Sequence, residues 1–184
     1  RQVDYGAFTV EADIASDGPR AVLTFADPLP AAGLKDVRVA LSPIAGGFRI
    51  ETRGDSLLGA FDGTLGLFAK GGGPVRIAVE RLAVWKTAVT GNLALERGFA
   101  TGNLSLAGGG IGGTIGLNAQ SGGQGFTLNL TASDARFGGD VPLTIGSARL
   151  EASGLLRQGH SSVSGNLLGQ GIGRGQLFIG RLAA

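Results

Sequence analysis

Short runs of alternating apolar and polar residues, separated by glycine-marked turns, constrain this chain more than any other feature. Phe126, Leu128, Leu130 and Ala132 alternate with Thr127, Asn129 and Thr131. Val37, Val39 and Leu41 alternate with Asp36, Arg38 and Ala40, and Val75, Ile77 and Val79 with Arg76, Ala78 and Glu80. Phe8, Val10, Ala12 and Ile14 face away from Thr9, Glu11 and Asp13. Successive side chains of a strand point to opposite faces, so each run has one oily face and one polar face. Helical spacing is absent apart from the segment Pro30 to Leu34, where one helical turn would fit. The prolines at 19, 28, 30, 43, 74 and 142 read as falling between the alternating runs. No proline- or serine-rich linker divides the chain. The pattern predicts an all-β architecture in one β-rich segment, residues 1–184.

The middle of the chain repeats itself. Gly91-Asn92-Leu93-Ala94-Leu95 is followed eleven residues on by Gly102-Asn103-Leu104-Ser105-Leu106. Gly113-Thr114-Ile115-Gly116-Leu117 comes eleven later, then Gly125 to Leu130. A fixed short repeat of strand and turn predicts a quasi-one-dimensional stack in which each strand meets only its neighbours. Eleven residues leave about seven or eight for a strand, and such short turns force antiparallel pairing. Glycine also falls inside the predicted strands, at 59, 63, 66, 91, 102 and 116. There it permits a bulge, a bend or close backbone approach. Repeated at similar places, it predicts a long, strongly curved antiparallel sheet folded into a half-open trough with an apolar interior.

Composition excludes several other readings. Glycine is 35 of 184 residues, far above the usual share of roughly 7%, but the every-third-residue period of collagen is missing. The hydrophobic fraction of 43% supplies enough apolar surface to order the chain. Net charge is only +2, with no basic run interleaved with aromatics, so no nucleic-acid partner is expected. Cysteine is absent, which removes disulfides and thiolate metal sites. The chain starts at Arg1 and contains no methionine, as a cut-out piece or a processed product would. Any membrane anchor is expected outside it.

A sheet with one oily face must bury that face. Here the interior either packs on itself or holds an apolar guest, and an acyl chain fits. At about 0.8 kcal/mol per buried methylene, a chain of about fifteen represents on the order of 12 kcal/mol before ordering costs. Leu93, Leu95, Leu104, Leu106, Ile115, Leu117, Phe126, Leu128 and Leu130 are the candidate groove residues. The competing reading is a self-filled β-rich scaffold, or an adhesin-like stalk, that binds protein partners through its sheet edges. A third, an outer-membrane barrel fragment, lacks the aromatic girdles such barrels carry, since the chain has one Trp and one Tyr.

The C-terminal half carries more specific text. The stretch from Phe137-Gly138-Gly139-Asp140-Val141-Pro142 through Leu143-Thr144-Ile145-Gly146 to Glu151-Ala152-Ser153-Gly154 resembles a strand pair of the AsmA-like, TamB-type (including YdbH-like) bacterial envelope proteins. So do Ser164-Gly165-Asn166-Leu167 and the closing Gly173-Arg174-Gly175-Gln176-Leu177-Phe178-Ile179-Gly180-Arg181-Leu182. The Gly-x-Leu-x-Leu repeats at 91, 102 and 113 follow the same style, and the resemblance covers roughly residues 85–184. It implies a segment of a longer periplasmic protein anchored in the inner membrane of a Gram-negative cell. Its half-closed sheet, a β-taco, would carry phospholipid between membranes or assist outer-membrane assembly. A phospholipid or other acyl-chain lipid is then the implied partner, together with an outer-membrane barrel of the TamA type.

Catalytic chemistry is not assembled by these letters. His160, the lone histidine, stands in what reads as a solvated turn without clustered carboxylates, and no serine near it has nucleophile-elbow spacing. Gly108 to Gly113 fits the letters of a dinucleotide loop, but Thr114-Ile115-Gly116-Leu117 after it reads as a strand, where the phosphate site needs a helix. No catalytic residue, metal ligand or cofactor is expected. Trp85, in phase with Ala83, Thr87 and Val89, would pack in the interior or at a rim. The arginines, among them Arg38, Arg49, Arg76, Arg149, Arg174 and Arg181, would mostly take the polar phase, some near the groove mouth.

Overall fold

In the computed structural model the chain forms one thirteen-stranded antiparallel sheet whose spatial order follows the sequence order. The structure describes residues 7–16, 18–28, 33–69, 71–138, 142–157 and 160–184. The first strands are β1 (Phe8–Ala15), β2 (Gly18–Phe25) and β3 (Lys35–Ile44). Six of ten residues make up the middle with β3, among them β4 (Gly47–Ser56), β5 (Gly59–Phe68) and β6 (Val75–Val84). They continue in β7 (Thr87–Glu96), β8 (Phe99–Gly108) and β9 (Ile111–Gln120). Three strands of fifteen residues follow, β10 (Gly123–Phe137), β11 (Leu143–Arg157) and β12 (His160–Arg174), and β13 (Leu177–Ala183) ends the sheet. Twelve inter-strand steps of about 4.8 Å give an arc of about 58 Å. The sheet does not close, so β1 and β13 are both edges.

The register carries one apolar face across the whole arc. Leu93 stands level with Gly102, Gly102 with Leu117, Leu117 with Phe126 and Phe126 with Gly154. The parallel row runs Val79, Gly91, Leu104, Ile115, Leu128, Ala152. On the N-terminal side the face continues through Ile77, Leu67, Phe48 and Pro43. Enclosure follows the alternation: in β8, Gly102, Leu104 and Leu106 are half-buried while Thr101, Asn103 and Ser105 are exposed. The apolar side is therefore the concave one.

Glycine makes that curl possible. Gly91, Gly102 and Gly113 sit on the apolar face with φ of 149°, 143° and 135°. A Cβ at each would overlap a backbone carbonyl of the adjacent strand, that of Asn103, Asn92 and Asn129 respectively. Each of these glycines also lies opposite a leucine, so small and large residues interlock.

The described residues bury little of the apolar face. Among the described residues the buried core is small, Val37, Val79, Ala83 and Ala135 together with Pro28, and no large side chain is fully buried. The accessible surface is 11677 Å², against roughly 8,200 Å² for a compact protein of this mass. Among the described residues the strands lie against their sheet neighbours, and one half of the sheet is not laid against the other.

Several local expectations change. The strands are longer than seven or eight residues, since ten-residue strands with two-residue turns repeat every twelve. The eleven-residue spacing of the glycine motif falls one short of that. Trp85 does not continue a strand through Ala83 and Thr87: with φ of 55° it forms the β6–β7 turn, its N–H donating to the Ala60 carbonyl at 2.8 Å. Pro19 and Pro43 lie inside β2 and β3. The β2–β3 ladder stops at Ala21 and Leu41; two residues further along both strands, Pro19 and Pro43 come to matching positions, and neither has an N–H to give. Of the segment from Pro30 to Leu34, residues 30–32 lie outside the described residues, while Gly33 is in a turn and Leu34 in an isolated bridge.

Candidate functional site

All nine candidate residues fall on the concave face. Leu93 and Leu95 of β7, Leu104 and Leu106 of β8, Ile115 and Leu117 of β9 and Phe126, Leu128 and Leu130 of β10 share it by register. Every one of them is half-buried, reachable from the open side of the trough. From β1 through β11 no Asp, Glu, Lys or Arg stands on this face among the described residues. Bulges are part of the reason. The register shifts between Val79 and Leu82, which keeps both on the apolar face and leaves Glu80 and Arg81 off it. Those charges pair on the convex side, where Arg81 reaches Asp62 at 2.6 Å and Arg49 reaches Glu80 at 3.9 Å.

Two polar side chains on the concave side escaped the sequence reading. Thr87, 5% exposed, donates from Oγ1 to the Gly108 carbonyl at 3.2 Å. Gln124 does more. The β8–β9 ladder ends at Gly102 and Leu117, and beyond it the Ala119 N–H donates to Thr101 Oγ1 at 3.3 Å. Thr101 belongs to the convex side, so the end of β9 is lifted outward there. Gln124 fills the lane from the concave side. Its Oε1 accepts the Ala100 N–H at 2.7 Å, and its Nε2 donates to the Ala100 and Asn118 carbonyls at 2.9 and 3.1 Å. One side-chain amide thus takes the place of a missing peptide group and ties β10 to β8 across β9. The available signal was an amide in the same phase as Phe126 and Leu128.

A second device lies across the long strands. Asp134, with φ of 50°, Gly146, Gly171, with φ of 63°, and Gly180 occupy matching places in β10 to β13, and none of the four forms a ladder pair. The apolar phase switches there, from Ala132 and Ala148 to Ala135 and Ile145, level with Ile172 and Ile179. Trp85, 44% exposed, lies at the rim where β10 overshoots the shorter strands, its ring occupying the space a Cβ of Gly138 would need. Arg174 is the exception among the named arginines: it stands level with Leu143 and Leu177 at the end of the apolar face. The other named arginines take the polar phase, and Arg149 pairs with Glu151.

Among the described residues no three His, Asp or Glu side chains gather. His160 opens β12 opposite Arg157, in a strand position where a turn was expected, and the glycines at 109 and 110 form the β8–β9 turn. Of the C-terminal motif, residues 139–141 lie outside the described residues. Comparison with protein-family models, curated proteins and solved structures returned no match to this chain.

Proposed function

We propose that this chain is a segment of a periplasmic lipid-transport or outer-membrane assembly protein of the AsmA-like, TamB type, and that its concave face holds phospholipid acyl chains. One observation carries the reading: a continuous apolar face, free of charge from β1 through β11 among the described residues, that those residues leave uncovered. Leaving so much apolar surface to water is costly, at about 25 cal/mol per Å², and acyl chains offset that cost without any directional contact. Half-buried leucines spaced evenly along a groove attract every methylene alike, so a chain is held but not pinned. An inner-membrane anchor and a barrel partner of the TamA type belong to the same reading and rest on the resemblance of residues 85–184.

Native mass spectrometry of the purified protein, with lipid extraction, tests this reading. Phospholipid should co-purify and should be lost on Leu104→Asp or Leu117→Asp while the circular dichroism of the sheet persists. A folded wild-type protein that carries no lipid and refuses added phospholipid would overturn it.

A further inference from the structure

Two-residue hairpin turns usually carry asparagine, aspartate or glycine, the residues that bend a chain at least cost. On one rim of the trough such turns each keep a glycine: Ala45-Gly46 joins β3 to β4, Arg97-Gly98 joins β7 to β8 and Ser121-Gly122 joins β9 to β10. The opposite rim departs from this. There Leu57-Leu58 joins β4 to β5 and Trp85-Lys86 joins β6 to β7, and Leu57, Leu58 and Trp85 are 46%, 41% and 44% exposed. Trp85 holds a φ of 55°, a left-handed conformation that a bulky side chain adopts only at a cost. Turn formation and solubility would both favour Asn-Gly at these tips, so the large apolar side chains there call for another reason.

The two tips are tied to one another. Ser56 Oγ donates to the Gly59 carbonyl at 2.8 Å and accepts the Leu58 N–H at 3.2 Å, which closes the first turn. The bond from the Trp85 N–H to the Ala60 carbonyl joins the second turn to the first. Gly109-Gly110, the next turn along this rim, has no side chain to present. Lys86 is exposed and pairs with no acidic group among the described residues, whereas Arg97 on the other rim pairs with Glu96. Asp55, below the Leu57-Leu58 tip, stands opposite Lys35 in the ladder.

We propose that this rim docks on the surface of a phospholipid bilayer that contains anionic lipid, with Leu57, Leu58 and Trp85 entering the headgroup region and Lys86 meeting lipid phosphate. Tryptophan joins an apolar body to a polar N–H and suits that boundary. A lysine beside it extends its ammonium to the level of the phosphates. Such contacts need no matching contour on the partner, which fits tips that project as separate turns. Val84 and Thr87, paired at the base of the Trp85 turn, end the concave face, so a docked rim sets the end of the groove against the bilayer. The inference rests on the lipid reading for its partner, but the two fail separately.

Flotation with vesicles of equal parts phosphatidylglycerol and phosphatidylcholine tests the proposal, read together with the emission of Trp85, the one tryptophan of the chain. Wild type should float, and its emission should shift to the blue. Leu58→Ser combined with Trp85→Asn should abolish flotation while the co-purified phospholipid and the circular dichroism of the sheet are retained. Leu104→Asp, which empties the groove, should float like wild type. Lys86→Gln should weaken binding about fivefold and Arg97→Gln should leave it unchanged, although each removes one positive charge. Four results would overturn the proposal: a wild type that does not float, a folded Leu58→Ser/Trp85→Asn protein that floats undiminished, equal losses from Lys86→Gln and Arg97→Gln, or a folded Leu104→Asp protein that no longer floats.

Discussion

Strands β3–β6 and strands β7–β10 build the same trough by different means. Two bulges interrupt β3–β6, one between Lys35 and Arg38 and one at Glu80 that shifts the register against both β5 and β7, and the convex face is held by ion pairs. In β7–β10 the register between neighbours is unbroken, and glycines at 91, 102 and 113 let the backbones close on one another. From β8 to the middle of β10 the convex face is neutral: no charged residue occurs from Gly98 to Ser133, and Asn103 faces Asn92 while Ser105 faces Thr114. A sheet can therefore be curled by inserting residues or by removing side chains. The first leaves charges to be paired outside, and the second needs none.

The largest effect should come from refilling a glycine. Gly102→Val adds a side chain where the Asn92 carbonyl already lies, at a φ valine rarely adopts, and should cost about 2–4 kcal/mol, read as a fall in the urea midpoint. Gln124→Ala should cost about 1–3 kcal/mol by orphaning the Ala100 backbone groups, with faster amide exchange at Ala100. Deleting Glu80 makes the sharpest contrast, because the β5–β6 and β6–β7 registers would become uniform with Val79 and the residue now at 82 still on one face. It should cost no more than about 1 kcal/mol; a loss as large as that of Gly102→Val would erase the distinction between the two regions. Arg81→Ala should change stability by at most about 0.5–1 kcal/mol, since the pair with Asp62 is more than half exposed, and 0.5 M salt should remove the difference.

The sequence made the alternation, the antiparallel order and the shared face of the nine groove residues readable, because period two fixes facing wherever a strand is regular. It was least readable where regularity fails. Val79 and Leu82 share a face only through a bulge that no letter announces, and Trp85 looked like strand because its neighbours do. The ends of the strands were hidden by glycine, which occurs inside them as well as between them. Gln124 and Arg174 are polar letters in apolar phase, and their placement depends on how a neighbouring strand ends. Whether the oily face is filled or open is a property of the whole arc, set by curvature summed over thirteen strands.

Photo-crosslinking in phospholipid-loaded protein tests the central claim most directly, with the reactive side chain placed in turn at Leu104, Leu117 and Leu128 and at Ser105, Asn118 and Asn129. The account predicts phospholipid adducts from the first three positions and none from the second. Equal labelling from both faces, or adducts from neither, would contradict it.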